Sequence, residues 1–169
     1  LKIIMEHFNH HCQVEDGVFM DLGCGENRPA IAAFEVCQFF TKFIGVDNHP
    51  LAIESARATV DRLIEVSPGA VGLFDIMECS IESLTGLKGA THVYSFCGAA
   101  GPVATSAIYR LLATGHAQYA VLVYITSGMP TDLVSLLDDS AHVFHQPNSA
   151  SSSLFQGRNP TPGMCITLN

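Results

Sequence analysis

The 169-residue sequence predicts an α/β fold of three layers, built on a mostly parallel sheet of about seven strands with the last strand antiparallel. Three observations predict it. Short apolar or β-branched runs alternate with helical patterns along most of the chain, which demands parallel strands covered on both faces. The first run, "VFMDL", passes through two glycines into a proline-led, alanine-rich segment. At the C-terminal end, two strand patterns follow one another with no crossover helix between them, and such strands pair antiparallel.

Each element has its own warrant. Residues 1–8 carry Ile4, Met5 and Phe8 at helical spacing, an amphipathic helix ended by "VEDG". Residues 18–22 are apolar on both faces, as in a strand between helix layers, and 29–40 suit a helix with proline at its first turn. A second strand spans 43–47. Pro50 then opens a helix with an apolar face of Ala52, Ala56, Val60, Leu63 and Ile64, broken by the "SPG" at Ser67. Residues 71–77 and 92–96 read as strands and 103–113 as the helix after the fourth. "YAVLVYIT", residues 119–126, is β-branched and aromatic enough for a central strand, and 133–137 form a short helix after "GMP". "HVFHQ" and "MCITLN" are the closing strands, separated by the Ser-, Asn- and Gly-rich "PNSASSSLFQGRNP", which has no helical pattern. The apolar content fits one core, hence one domain over residues 1–169.

A formal charge of −8, with eight Lys and Arg, argues against a surface that neutralises phosphates, so no direct nucleic-acid binding is expected. No apolar run reaches membrane-spanning length, and "LKIIMEHFNHH" lacks the pattern of a signal peptide. The six cysteines include no CxxC pair and read as reduced core residues of an intracellular protein. His7, His10 and His11 have no further ligand at motif spacing, so no metal is expected. The chain begins without methionine, as a trimmed chain or part of a longer one does.

In an open parallel sheet the ligand crevice lies outside the carboxyl ends of the strands, beside strand one. Gly23 and Gly25 let the backbone turn there, and the start of the next helix offers unpaired amides. Asp47, ending the second strand, is placed to accept hydrogen bonds from ribose hydroxyls. A dinucleotide site would have a glycine where Arg28 stands, which argues against a nicotinamide-dependent oxidoreductase. Asp21, just before the turn, repels a pyrophosphate and suits a cation.

"DLGCGEN" followed by "GVDNHPLAIESA" resembles the first two motifs of class I S-adenosylmethionine-dependent methyltransferases, a Rossmann-like fold. The resemblance implies S-adenosyl-L-methionine as cofactor, with Asp21, Gly23 and Gly25 around its methionine part, Asp47 at its ribose, and Cys24, Asn48 and Phe96 also among the residues that bind it. "CSIESL" is similar to the adenine-contacting segment, which places Ser80 at the adenine edge and Ile81 at its face, with Glu78 as a second candidate. Asn27 stands where many members have a third glycine. The acceptor is expected near Phe96, Cys97 and Gly98, after strand four, and no general base is assigned.

The spacing from Asp21 to Asp47 exceeds the usual ~20 residues and predicts a stretched first helix. With the leading helix and "THVYSFCGAAGP", this is similar to the non-SET histone-lysine methyltransferases of the disruptor-of-telomeric-silencing type. That resemblance implies a protein lysine acceptor, a histone in a nucleosome gripped by segments outside this chain, and a nuclear location. A small-molecule acceptor in the cytoplasm, or a non-catalytic nucleoside-binding domain, are the alternatives.

Overall fold

The computed structural model describes residues 1–97, 101–115, 117–124, 141–146, 150–155 and 164–168. Four helices, α1 (Lys2–His11), α2 (Arg28–Val36), α3 (Pro50–Val66) and α4 (Pro102–Thr114), accompany eight strands. The strands are β1 (Gly17–Leu22), β2 (Phe40–Asp47), β3 (Phe74–Glu78), β4 (His92–Phe96), β5 (Tyr119–Tyr124), β6 (Ala141–Gln146), β7 (Ala150–Phe155) and β8 (Met164–Leu168). They form one sheet in the order β3-β2-β1-β4-β5-β8-β7-β6. All neighbours from β3 to β8 run parallel. Strand order reverses at β1, which has β2 on one side and β4 on the other.

The mostly parallel sheet is as expected, but its far end is not. Among the described residues there are eight strands, and the last of them, β8, runs parallel to β5. The reversed strand is β7, antiparallel to both β8 and β6. The physical reason is parity: the serine-rich segment, without the alternation of a half-buried strand, nonetheless forms β7, and one added strand flips the direction of the next. The expected helix at 133–137 lies outside the described residues, as do 125 and 126.

The first helix also differs. α2 is nine residues long and ends at Val36, not at residue 40, because Phe39 and Phe40 already turn into the sheet. The wide spacing between Asp21 and Asp47 comes from a longer β2, so the stretched helix that favoured the histone-lysine likeness is not there. β3 starts at Phe74 after a 3-10 turn at Pro68–Ala70, later than expected. On α3 Ala56, Val60 and Leu63 are buried as read in sequence, Ile53 is buried in addition, and Ala52 and Ile64 are half-buried.

Period-two alternation sends each strand's residues to two separate cores. On one face Phe19, Phe43 and Val121 pack with Met5 and Phe8 of α1 and Ala30 and Ala33 of α2. On the other, Met20, Ile44, Val93 and Leu122 pack with Ile108 and Leu111 of α4. Cys12, Cys24, Cys37 and Cys97 are buried and Cys79 half-buried, and none of these five forms a disulfide among the described residues. No helix among the described residues is long and apolar enough to cross a membrane.

The α1 face contains one fully buried imidazole. His92 is 0 % exposed and lies edge-on to Phe8 and Phe40, with ring centroids 5.0 and 4.8 Å away. Its Nε2–H donates to the Cys12 carbonyl at 2.7 Å, tying β4 to the end of α1, and Nδ1 lies 2.9 Å from Thr91 Oγ1. Burial lowers its pKa from 6.5 to about 4, against a smaller raising effect of the Cys12 carbonyl. Between those values the unfolded chain binds a proton that the folded one refuses. Stability is therefore full above about pH 6.5 and declines as pH falls toward 4, by at most on the order of 3 kcal/mol. Urea denaturation across that range is expected to show the decline. His92→Gln, which keeps a donor for the Cys12 carbonyl, should remove this part of the slope.

Candidate functional site

β1 ends at Leu22, and the chain there leaves the sheet through Gly23 and Gly25, at φ +82° and +52°. A Cβ added at either would meet nothing within 4 Å, so the left-handed backbone and not crowding selects glycine. The turn is clamped to the end of β2. The amides of Gly23 and Cys24 both donate to the Val46 carbonyl, at 2.8 and 2.9 Å. The next, Gly25 N–H, donates to Asp47 Oδ2 at 3.0 Å, while His49 N–H donates to Asp47 Oδ1 at 2.9 Å. Asn27 N–H closes the turn onto Cys24 O at 2.7 Å. The amides of the turn itself, ahead of α2, are thus used by the fold.

Two carboxylates flank the turn in opposite environments. Asp47 is half-buried with both oxygens held by backbone amides. Asp21 is 1 % exposed, and neither of its oxygens has a hydrogen-bond partner within the protein. Burial above all, and then the charge of Asp47, hold its carboxyl well above the ordinary carboxylate range. Burial, with the charges of Asp21 and Asp47, also pushes the Cys24 thiol up, which suppresses the thiolate a nucleophile requires.

Two clefts open over the carboxyl ends of the strands and share Gly23 and Phe96. One, of about 370 Å³, is lined by Asp21, Gly23, Cys24, Tyr94 and Phe96, with Glu26, Arg28 and Pro29 at its rim. The other, of about 320 Å³, is lined by Leu22, Gly23, Asp47, Asn48, Ile81 and Phe96, with Glu82, Gly101 and Ala104. Ser95 Oγ–H donates to the Leu22 carbonyl at 2.7 Å, which fixes the ends of β1 and β4 beneath both. Arg28 pairs with Glu26, Nη2 to Oε2 at 2.6 Å and Nε to Oε2 at 2.7 Å, so the rim charges offset each other.

Of the residues singled out in sequence, Asp21, Gly23, Cys24, Asp47, Asn48, Ile81 and Phe96 line these clefts. Gly25 holds Asp47 in place from beneath. Ser80 is half-buried and lines neither cleft, and Glu78 is exposed beside Asp47 at the end of β3. Cys97 is buried and lines neither, and Gly98 lies outside the described residues. Tyr94, Glu26 and Glu82 were not singled out. For Tyr94 a signal existed: two positions before Phe96 on a strand, it shares that residue's face. Among the described residues, no three His, Cys, Asp or Glu side chains converge as for a metal ion.

No family model and no curated protein matches the chain. Solved structures do. The precorrin-6y C5,15-methyltransferase of Geobacter metallireducens is 16 % identical with a TM-score of 0.59, over 96 % of this chain and 81 % of that one. A candidate S-adenosyl-L-methionine-dependent methyltransferase of Methanococcus maripaludis is 18 % identical with a TM-score of 0.50, over 65 % of this chain and 49 % of that one. A Haloferax volcanii protein solved with the Trm112 methyltransferase activator is 17 % identical with a TM-score of 0.46, over 58 % and 40 %. The chain thus spans less than half the length of the latter two. The first of these likenesses, over nearly the whole chain, shows the Rossmann-like fold.

The site depends on close approach at one more position. A Cβ on Gly45 would stand 2.9 Å from Asn27 Oδ1, 3.0 Å from Ile76 Cδ1 and 3.1 Å from Cys24 Sγ. Gly45→Ala is expected to cost about 1–3 kcal/mol, read as a lower urea midpoint with unchanged slope.

Proposed function

We propose that the protein is an S-adenosyl-L-methionine-dependent methyltransferase, with the cofactor lying across the two clefts. The observation that carries this reading is one crevice holding both a carboxylate anchored by backbone amides and a buried carboxyl with no protein partner. An anchored carboxylate keeps lone pairs for the two hydroxyls of a ribose. A buried carboxyl without a partner calls for a cationic one, and the ligand's ammonium group supplies it.

The clamp on the turn argues against a pyrophosphate. A dinucleotide site presents backbone amides to phosphate oxygens, whereas here three consecutive amides face Val46 and Asp47. The remaining fit is with adenosine in the cleft of about 320 Å³, its base between Ile81 and Phe96 and its ribose at Asp47, and with the amino-acid end at Asp21.

When bound, S-adenosyl-L-methionine supplies a methyl group on a sulfonium sulfur, open to in-line displacement. The chain's own residues bind and align. Asp47 and Gly23 fix the adenosine, Asp21 fixes the far end, and the line between them determines where the methyl carbon stands. Phe96, which walls both clefts, and Tyr94 keep that region apolar, which favours the neutral form of an amine acceptor. No side chain in the described part of the acceptor entrance is a general base, so the acceptor's own lone pair is the nucleophile. The acceptor is a protein lysine, such as one in a histone, or a small molecule.

Calorimetric titration with S-adenosylhomocysteine is expected to give one site per chain. Loss of the charge-assisted contacts in Asp47→Ala should weaken it about 10- to 100-fold. No binding by the wild-type chain, or preferential binding of a dinucleotide, would overturn the reading. Radiolabelled cofactor offered with nucleosomes in one arm and a metabolite extract in the other separates the acceptors by which arm takes up label.

A further inference from the structure

Asp21 is one of two buried polar side chains at the crevice without partners. Asn27 is 0 % exposed, and both its Oδ1 and its Nδ2 lack hydrogen-bond partners. It is also strained: its φ of +62° lies in the left-handed region, where glycine would sit without cost. A glycine would remove the strain and the two unmet hydrogen-bonding groups together, so the asparagine needs a reason.

Its position gives one. Asp21 and Gly45 are register partners on adjacent strands, so their Cβ directions share one face of the sheet, about 4.8 Å apart. Asn27 Oδ1 lies 2.9 Å from where a Gly45 Cβ would be. The missing side chain at Gly45 is thus the space into which Asn27 reaches, and that space adjoins Asp21. Asn27 lines neither cleft, so it stands behind Asp21 and not against a ligand.

We propose that Asn27 is a positioning residue for Asp21: its side-chain amide takes up the Asp21 carboxylate when an ammonium-bearing nucleoside ligand enters, and entry thereby expels a proton from Asp21. In the empty crevice the carboxyl keeps its proton, because no cation faces it. The groups around it do not change that. Asp47 from the end of β2 adds like charge, Cys24 and Tyr94 bring groups whose ionisation burial suppresses, and Arg28 at the rim is tied to Glu26. With the ligand's ammonium in place the proton departs to solvent. One carboxylate oxygen then faces the cation, and the other accepts from Asn27 Nδ2–H. The inference rests on the proposed function and adds to it a proton stoichiometry and a second residue.

The test uses two ligands, S-adenosylhomocysteine and 5′-methylthioadenosine, which lacks the amino-acid end. Dissociation constants are measured by calorimetry between about pH 5.5 and 8, in buffers of different ionisation enthalpy, so that proton release is counted directly. For the wild-type chain, S-adenosylhomocysteine should bind more tightly as pH rises and release a proton, while 5′-methylthioadenosine binds independently of pH. Asn27→Ala and Asn27→Gly should each weaken S-adenosylhomocysteine on the order of tenfold, move the midpoint of its pH dependence upward, and leave 5′-methylthioadenosine unchanged. Asn27→Gly suits the left-handed backbone and guards against a result that merely reports unfolding. Unchanged affinity and midpoint in both variants would overturn the inference, as would equal loss of both ligands without a shifted midpoint. Tight binding by the wild-type chain without proton release would overturn it while leaving the proposed function standing. Binding of neither ligand by the wild-type chain would remove the proposed function, and this inference with it.

Discussion

Three successive amides, those of Gly23, Cys24 and Gly25, are fastened to two successive acceptors, the Val46 carbonyl and the Asp47 carboxylate. Everything at the crevice depends on this clamp. It binds the exit of β1 to the exit of β2, sets where α2 begins, and holds Asp47 at a fixed height above the sheet. The hydrogen bonds from Gly25 and His49 to Asp47 are charge-assisted, and the one from Gly25 is part-buried, so it is stronger than a neutral one. A turn whose donors are used in this way cannot also be an anion cradle. The local fold has therefore selected against phosphate before any ligand is considered.

The same clamp makes the two carboxylates unequal. Asp47 has its charge met by the backbone, whereas Asp21, a strand position deep under the turn, has none of its valences met. A group buried without partners opposes folding. Under the proposed function, a ligand's cation meets the Asp21 carboxyl, and stability given up at Asp21 and at the left-handed Asn27 is recovered on binding, in the manner of sites where strain and unmet groups are concentrated.

Much of this was legible in the sequence, for reasons that can be stated residue by residue. β1, β4 and α3 announce themselves through apolar runs or long helical periodicity, and "DLGCGEN" with Asp47 marks the crevice because only glycine adopts the turn without strain. The end of α2 was not legible. Phe39 and Phe40 continue a helical apolar pattern as well as they begin a strand, and the sheet wins because Phe40 fills the space beside Phe19 and Phe43. β7 was not legible either, because "ASSSLF" has neither alternation nor β-branched residues. Its pairing with β6 and β8 through backbone hydrogen bonds decides it instead. The role of Gly45 was hidden for a different reason: close approach between Asn27 and β2 is a tertiary fact that no local pattern encodes.

Phe96 settles how the two halves of the crevice relate. It walls both clefts, together with Gly23, so these two residues mark the boundary between them. On the proposed reading, a reacting carbon held between Asp47 and Asp21 lies near that boundary. The cleft at Asp47 joins the strand ends at Leu22 and Phe96 to Ile81 after β3 and to Gly101 and Ala104 at the start of α4, whereas the cleft at Asp21 joins Tyr94 and Phe96 of β4 to the turn that follows β1. On the proposed reading, the strand ends common to both clefts set where the ligand lies, and the turn and helix start around them set what else can enter.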